Sequence, residues 1–149
     1  MAGSWLRSRG LGSADEGAKV KAQVGMEIPE LVKEPTTQQL VKYAGASGDF
    51  YQIHYDPDFA IAVGLPGVIL HGLLKTAFLG QLVTDWLGQE GTMTDLQVSY
   101  RGLDFPGRPY RCRGVVRSVE GAKIGLDVWG EDTEGNRTTT GTATVQLNH

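Results

Sequence analysis

Residues 67–88, GVILHGLLKTAFLGQLVTDWLG, decide the fold. Val68, Ile69, Leu70, Leu73, Leu74, Ala77, Phe78, Leu79, Leu82, Val83, Trp86 and Leu87 leave a helix over 67–87 little polar surface. A helix apolar on all sides belongs in the middle of a domain. About 20 residues would reach about 30 Å, which also suits a bilayer. Lys75, Gln81, Thr84 and Asp85 interrupt the run, however, and the flanks are ordinary amphipathic protein. The stretch reads as a core helix, not a membrane span.

Beyond Gly88 the apolar period changes to two, the mark of strands. Leu96, Val98 and Tyr100 share one face, and over 109–118 Tyr110, Cys112, Gly114 and Val116 do the same against Arg111, Arg113 and Arg117. Ala122, Ile124, Leu126 and Val128 form a third set; Thr139, Gly141, Ala143, Val145 and Leu147 a fourth. Gly107, Gly121 and the EDTEGN turn at 131–136 separate them at hairpin distances. Such strands make an antiparallel sheet with one apolar face, and the 67–87 helix is the element large enough to cover it. Gly141 and Ala143 would let that helix approach closely. The fold class is α+β, a curved antiparallel sheet wrapped around one long central helix.

At 149 residues the chain has the size of one domain. A net charge of −3 offers nothing to attract a polyanion globally, so no nucleic-acid partner is expected. One cysteine, Cys112, excludes an intramolecular disulfide and any multi-cysteine metal site, and points to an intracellular, cytoplasmic protein. The N-terminal MAGSWLRSRGLGSADEGAKV lacks the apolar core of a signal peptide. Residues 1–19 read as a loosely anchored leader and 20–149 as the domain.

Residues 20–28 carry a weak strand signal. Thr36 and Gln39 have capping-box spacing, so a helix starts there, with Gly45 or Gly48 able to end it. Asp56 and Pro57 open a second helix with Phe59, Ala60, Ala62 and Val63 on its buried side; Gly64 and Pro66 stop it. Asp49 and His54 fall in the connection between the two helices, where a scaffold commonly holds functional groups.

A carboxylate and an imidazole are the usual pair for moving protons near neutral pH. No Gly-x-Ser-x-Gly elbow is present, and Cys112 lies within a strand without a neighbouring base. The two internal histidines, His54 and His71, belong to no paired metal motif, and no Walker-type loop occurs, so neither metal nor cofactor is expected. Taken singly, each candidate has a plainer reading. Asp49 is a turn residue, His54 a hydrogen-bonded loop histidine, and His71 a packed core histidine. The three arginines read as a solvated strand face, with cofactor phosphates the sharper use.

Together, YAGASGDFYQIHYDPDFA at 43–60 and LPGVILHGLL at 65–74 resemble the MaoC-type hydratase/dehydratase family of the hot-dog superfamily. That family carries Ser-Gly-Asp-x-Asn-Pro-x-His and an Ala-His-Gly that opens the hot-dog helix. Phe105-Pro106-Gly107 resembles the family's turn after the first long strand. The resemblance spans about 20–147 in element order and is closest to (R)-specific enoyl-CoA hydratases and (3R)-hydroxyacyl-ACP dehydratase subunits of fatty acid metabolism. Tyr51 and Gln52 depart from it, standing where the family has Asn-Pro.

The resemblance implies a single hot-dog domain that reversibly hydrates a trans-2-enoyl thioester, carried on CoA or acyl carrier protein, to an (R)-3-hydroxyacyl thioester. Asp49 and His54 would hold the water between them, and the backbone N–H of Gly72 would meet the thioester oxygen. Ser47, Tyr51 and His71 would contact substrate. It further implies a homodimer or dimer-based oligomer joined edge to edge, with the site at the subunit interface. Two other roles share the fold: an acyl thioesterase, and a non-catalytic acyl-binding subunit of a heteromeric dehydratase.

Overall fold

In the computed structural model, which describes residues 19–148, both helix starts use the caps read from the sequence. The expected leader lies outside these residues, Lys19 excepted. The Thr36 hydroxyl accepts the Gln39 N–H at 3.1 Å and opens α1 (Thr37–Ser47), which Gly48 closes in the left-handed region at φ 78°. Asp56 accepts the Phe59 N–H at 3.1 Å and Pro57 takes the first position of α2 (Pro57–Ala62). The buried side expected of α2 is narrower than read. Ala60 is buried and Phe59 half-buried, whereas Ala62 and Val63 are exposed, because this six-residue helix lies on the surface.

The long helix, α3 (Gly72–Leu87), begins five residues later than expected. Residues 67–71 stay outside the helix instead: the Ile69 N–H donates to the Ile53 carbonyl at 3.1 Å and the Leu70 N–H to the Asp104 carbonyl at 2.9 Å. These bonds use donors that an earlier helix start would leave without partners. Nor is α3 buried all round. Leu74, Phe78, Leu79, Leu82, Val83 and Leu87 face the core, while Leu73, Ala77, Gln81, Thr84 and Asp85 are exposed.

Five strands, β1 (Glu27–Lys33), β2 (Gly91–Tyr100), β3 (Tyr110–Glu120), β4 (Lys123–Glu131) and β5 (Arg137–Leu147), form one antiparallel sheet in the order β1-β3-β4-β5-β2. The first strand follows the weak 20–28 signal rather than filling it. Pro29 lacks an N–H, and the register with β3 slips between Ile28 and Leu31, as edge strands tolerate. Tyr110, Cys112 and Val116 from β3, Ile124, Leu126 and Val128 from β4, and Ala143 and Val145 from β5 form one fully enclosed face. The core residues of α3 pack against it. Each such large apolar side chain contributes about 1.5–3 kcal/mol by leaving water.

Gly141 serves a different neighbour from the one expected. A Cβ there would run into the Gln97 carbonyl oxygen, so its smallness admits strand β2, not the helix. On the outer face, Arg111 and Arg113 each reach Glu30 at 2.8 Å, and Arg117 lies 3.7 Å from Asp127. The arginine row is a set of surface ion pairs, each of little energetic weight. Burial pushes the Cys112 thiol up to about 12, which leaves it a small core residue without nucleophilic character.

Candidate active site

His54 ends a single 3-10 turn, Gln52–His54, and is buried; Asp49 follows Gly48, the residue that closes α1. The Asp49 N–H donates to the Ser47 hydroxyl at 3.2 Å, and that hydroxyl donates to the Tyr43 carbonyl at 2.7 Å. Asp49 Oδ1 in turn accepts the Tyr51 N–H at 3.4 Å. Ser47 thereby ties the acid's loop to the last turn of α1.

The His54 Nδ1 lies 2.8 Å from the Ile69 carbonyl. A carbonyl only accepts, so Nδ1 carries a proton, and in the neutral tautomer this leaves Nε2 as the acceptor. That nitrogen faces Asp49 Oδ2 at 3.7 Å. Two acceptors at this spacing do not bond each other. One water between them, about 2.8 Å from each, would donate a hydrogen to both and keep its lone pairs free.

His71 completes the group. Its ring has no exposed surface and stacks on His54, with centroids 3.8 Å apart and planes 20° from parallel. Its Nε2 lies 3.2 Å from the Asp49 carbonyl and must donate to it; its Nδ1 has no partner among the described residues. Burial first, and His54 second, lower its pKa, so the ring stays neutral. Tyr43 presents its ring edge-on to His71 at 5.0 Å, and burial raises its own pKa.

Gly72 follows as the first residue of α3, so its N–H has no acceptor within the helix and sits where the dipole favours negative charge. The Tyr100 ring closes on it: a Cβ at position 72 would lie 2.9 Å from ring carbons. Thr76 holds the Tyr100 hydroxyl at 2.8 Å. Tyr51 stands edge-on to His54 with centroids 6.4 Å apart and to Phe59 at 6.0 Å, its ring half open to solvent. Ser47, Asp49, Tyr51, His54, His71 and Gly72 all lie in the two segments that meet here, but His71, expected to contact substrate, has no exposed surface.

Asp49, His54 and His71 offer ligand atoms within 4.8 Å of one another, the spacing of a conceivable metal cluster. The two imidazoles lie in nearly parallel planes, however, and in-plane lone pairs from stacked rings do not meet at one ion. The arrangement suits proton transfer.

Sequence reasoning missed the residues that hold the site. Lys75 is enclosed and donates to Asp104 Oδ2 and to the Gly102 carbonyl, both at 2.9 Å. This binds the 101–104 segment to the first turn of α3. A lone lysine inside an apolar run was the available signal, since a buried charge requires a partner. Tyr43 and Tyr100 gave none, one lying on a helix flank and the other at a strand end.

A five-stranded antiparallel sheet around a long helix, with a carboxylate–imidazole pair beside the helix start, defines the hot-dog fold in its hydratase/dehydratase form. The family model described as the MaoC like domain matches residues 14–144, and the chain belongs to that family. It is 31% identical over 127 residues to the 3-oxo-4,17-pregnadiene-20-carboxyl-CoA hydratase beta subunit of Mycobacterium tuberculosis, covering 83% of this chain and 94% of that one. Fatty acid synthase beta subunits also match, but the chain spans only 3% of the one from Gibberella zeae. One chain of the ChsH1-ChsH2 complex from Mycobacterium tuberculosis superposes with a TM-score of 0.79 at 26% identity, over 86% of this chain and 100% of that chain. The (R)-hydratase from A. caviae gives 0.79 at 24% identity, over 84% and 96%, and supports the fold. Among the described residues no helix is long and apolar enough to cross a membrane.

Proposed function

We propose that the chain catalyses the reversible hydration of a trans-2-enoyl thioester to an (R)-3-hydroxyacyl thioester. The observation that carries this reading is the 3.7 Å gap between Asp49 Oδ2 and His54 Nε2. A water held there gives its proton to one of the pair while its oxygen attacks C3. A proton returns to C2, and the enolate oxygen that forms in between meets the Gly72 N–H. Such a donor in a water-poor site contributes about 2.7–4 kcal/mol to transition-state binding. Ser47 and Tyr51 line the substrate side, and the acyl group is carried on CoA or acyl carrier protein. The CoA thioester in the mycobacterial relative's name favours the first carrier.

The working unit in this reading is a dimer. Among the described residues, strands β1 and β2 each have one sheet edge without a partner strand, and Leu73, Tyr51 and Tyr100 are half exposed. A second hot-dog subunit would cover them. Light scattering that finds a strictly monomeric, fully active species overturns this part.

A second reading has one supporting observation: the mycobacterial relative is named as a beta subunit. There the chain would bind the acyl group within a heteromer and leave the chemistry to another subunit. Purified chain and crotonyl-CoA separate the possibilities. Loss of enoyl absorbance without free thiol supports hydration; release of thiol makes the chain a thioesterase. With neither, the hydratase reading fails for the chain alone.

A further inference from the structure

We propose that His71 is a positioning residue, which sets the gap between Asp49 and His54 by stacking on one and holding the backbone of the other. Only its kinetic consequence rests on the hydratase reading. Two independent contacts meet in this one ring. The stack with His54 at 3.8 Å fixes the height and tilt of that imidazole, whose rotation is already fixed by the Ile69 carbonyl. The bond from Nε2 to the Asp49 carbonyl at 3.2 Å fixes the main chain from which the acid projects. Asp49 otherwise sits on a loop held by the Ser47 hydroxyl and the Tyr51 N–H, both exposed contacts, and is about a third exposed, so among the described residues His71 is its buried restraint. His71 is itself held in place: it precedes α3, it is fully enclosed, and Tyr43 packs against it in a T-shaped contact. With no surface open to solvent, it reaches the substrate only through the pair it holds. Being neutral, it adds no second positive charge beside the imidazolium that forms when His54 takes a proton.

His71→Ala, His71→Phe and His71→Gln test this. Alanine removes both contacts, phenylalanine keeps a stacking ring but no donor, and glutamine keeps a donor of similar reach together with a flat amide that can lie against His54. Crystal structures should show the Asp49–His54 gap widened by about 1 Å in the Ala and Phe variants and kept in the Gln variant. A displacement of that size costs about 100-fold in rate. On crotonyl-CoA, kcat should therefore fall about 10–100-fold for Ala and Phe with KM within about twofold, and Gln should recover most of it. In an Asp49→Asn background the same changes should add little, since the gap no longer matters. If His71→Ala does not fold, the space-filling Phe variant carries the same expectation. An unchanged gap in the Ala or Phe variant overturns the proposal. So does a raised KM at constant kcat, or equal losses in both backgrounds. Wild-type protein inactive on crotonyl-CoA would sink the hydratase reading alone, and the crystallographic gap would still decide the role of His71.

Discussion

Lys75 Nζ and Asp104 Oδ2 lie 2.9 Å apart with both side chains about 95% removed from water. The pair joins the first turn of α3 to the segment that supplies the Leu70 N–H with its acceptor, the Asp104 carbonyl. It therefore holds the stretch entering Gly72, against which the Tyr100 ring also packs.

Removing one member leaves a buried charge alone, which costs about 3–5 kcal/mol. Lys75→Met should destabilise the protein by that amount in urea titration, and Asp104→Asn should do nearly as much. The double change Lys75→Met with Asp104→Leu should recover most of the loss, because an apolar pair has no charge to desolvate. A double variant as unstable as the worse single would mean that the bond to the Gly102 carbonyl, not the ion pair, carries the stability.

Gly72 is constrained by Tyr100 and not by backbone strain. A methyl at 72 meets the ring at 2.9 Å, and the ring is tethered through Thr76. Gly72→Ala should cost about 1–3 kcal/mol as overpacking and disable hydration by shifting the N–H donor. Tyr100→Ala should relieve the clash, so Gly72→Ala in that background should regain stability. Equal destabilisation with and without the ring would locate the conflict elsewhere.

His71 also makes stability depend on pH. Its pKa lies below the ordinary 6.5 in the folded protein because burial and His54 oppose the charge, so unfolded chain takes up the proton first as pH falls. The stabilisation is complete above 6.5 and is lost as pH drops toward the lower folded value. Urea midpoints at about pH 7.5 and about pH 5.5 should differ more for wild type than for His71→Gln. The same difference in both would assign the slope to another group.

Tyr51 and Gln52 stand where the motif that the sequence resembles would place Asn-Pro, and Tyr51 meets His54 and Phe59 edge-on. If these residues have only relaxed the loop, Tyr51→Asn with Gln52→Pro should leave crotonyl-CoA hydration intact or faster. Abolished activity in a folded variant would show instead that the Tyr51 ring takes part in holding substrate.

How much of this was legible beforehand follows from which forces act locally. Thr36 and Asp56 cap their helices through bonds three residues away, and the alternating faces of β3 and β4 are visible in any window of six. The start of α3 was not legible. Whether Val68–Leu70 joins the helix depends on the Ile53 and Asp104 carbonyls, 16 and 34 positions away in sequence. Gly141 misled for a related reason, since its smallness answers a neighbouring strand and looks the same as smallness facing a helix. The site was legible as residue types but not as geometry. Nothing in Asp49 or His54 announces an imidazole whose Nε2 is turned toward the carboxylate; the Ile69 carbonyl arranges that.

If Asp49 and His54 hold one water, either loss disables the same step, and the two losses should not add. Asp49→Asn and His54→Ala should each lower the rate constant by about 10²–10⁴, the usual weight of a positioned acid or base. The double variant should be little worse than the poorer single, as for residues that act as a unit. Both singles should remain folded, because Asp49 is partly exposed and His54 contributes one ring on the 3-10 turn outside the main core cluster. The rate is read from the enoyl absorbance of a trans-2-enoyl-CoA, and the fold from circular dichroism. A near-wild-type rate in either single removes that residue from the mechanism. Losses that multiply fully would mean two separate tasks, and the shared water would have to be abandoned.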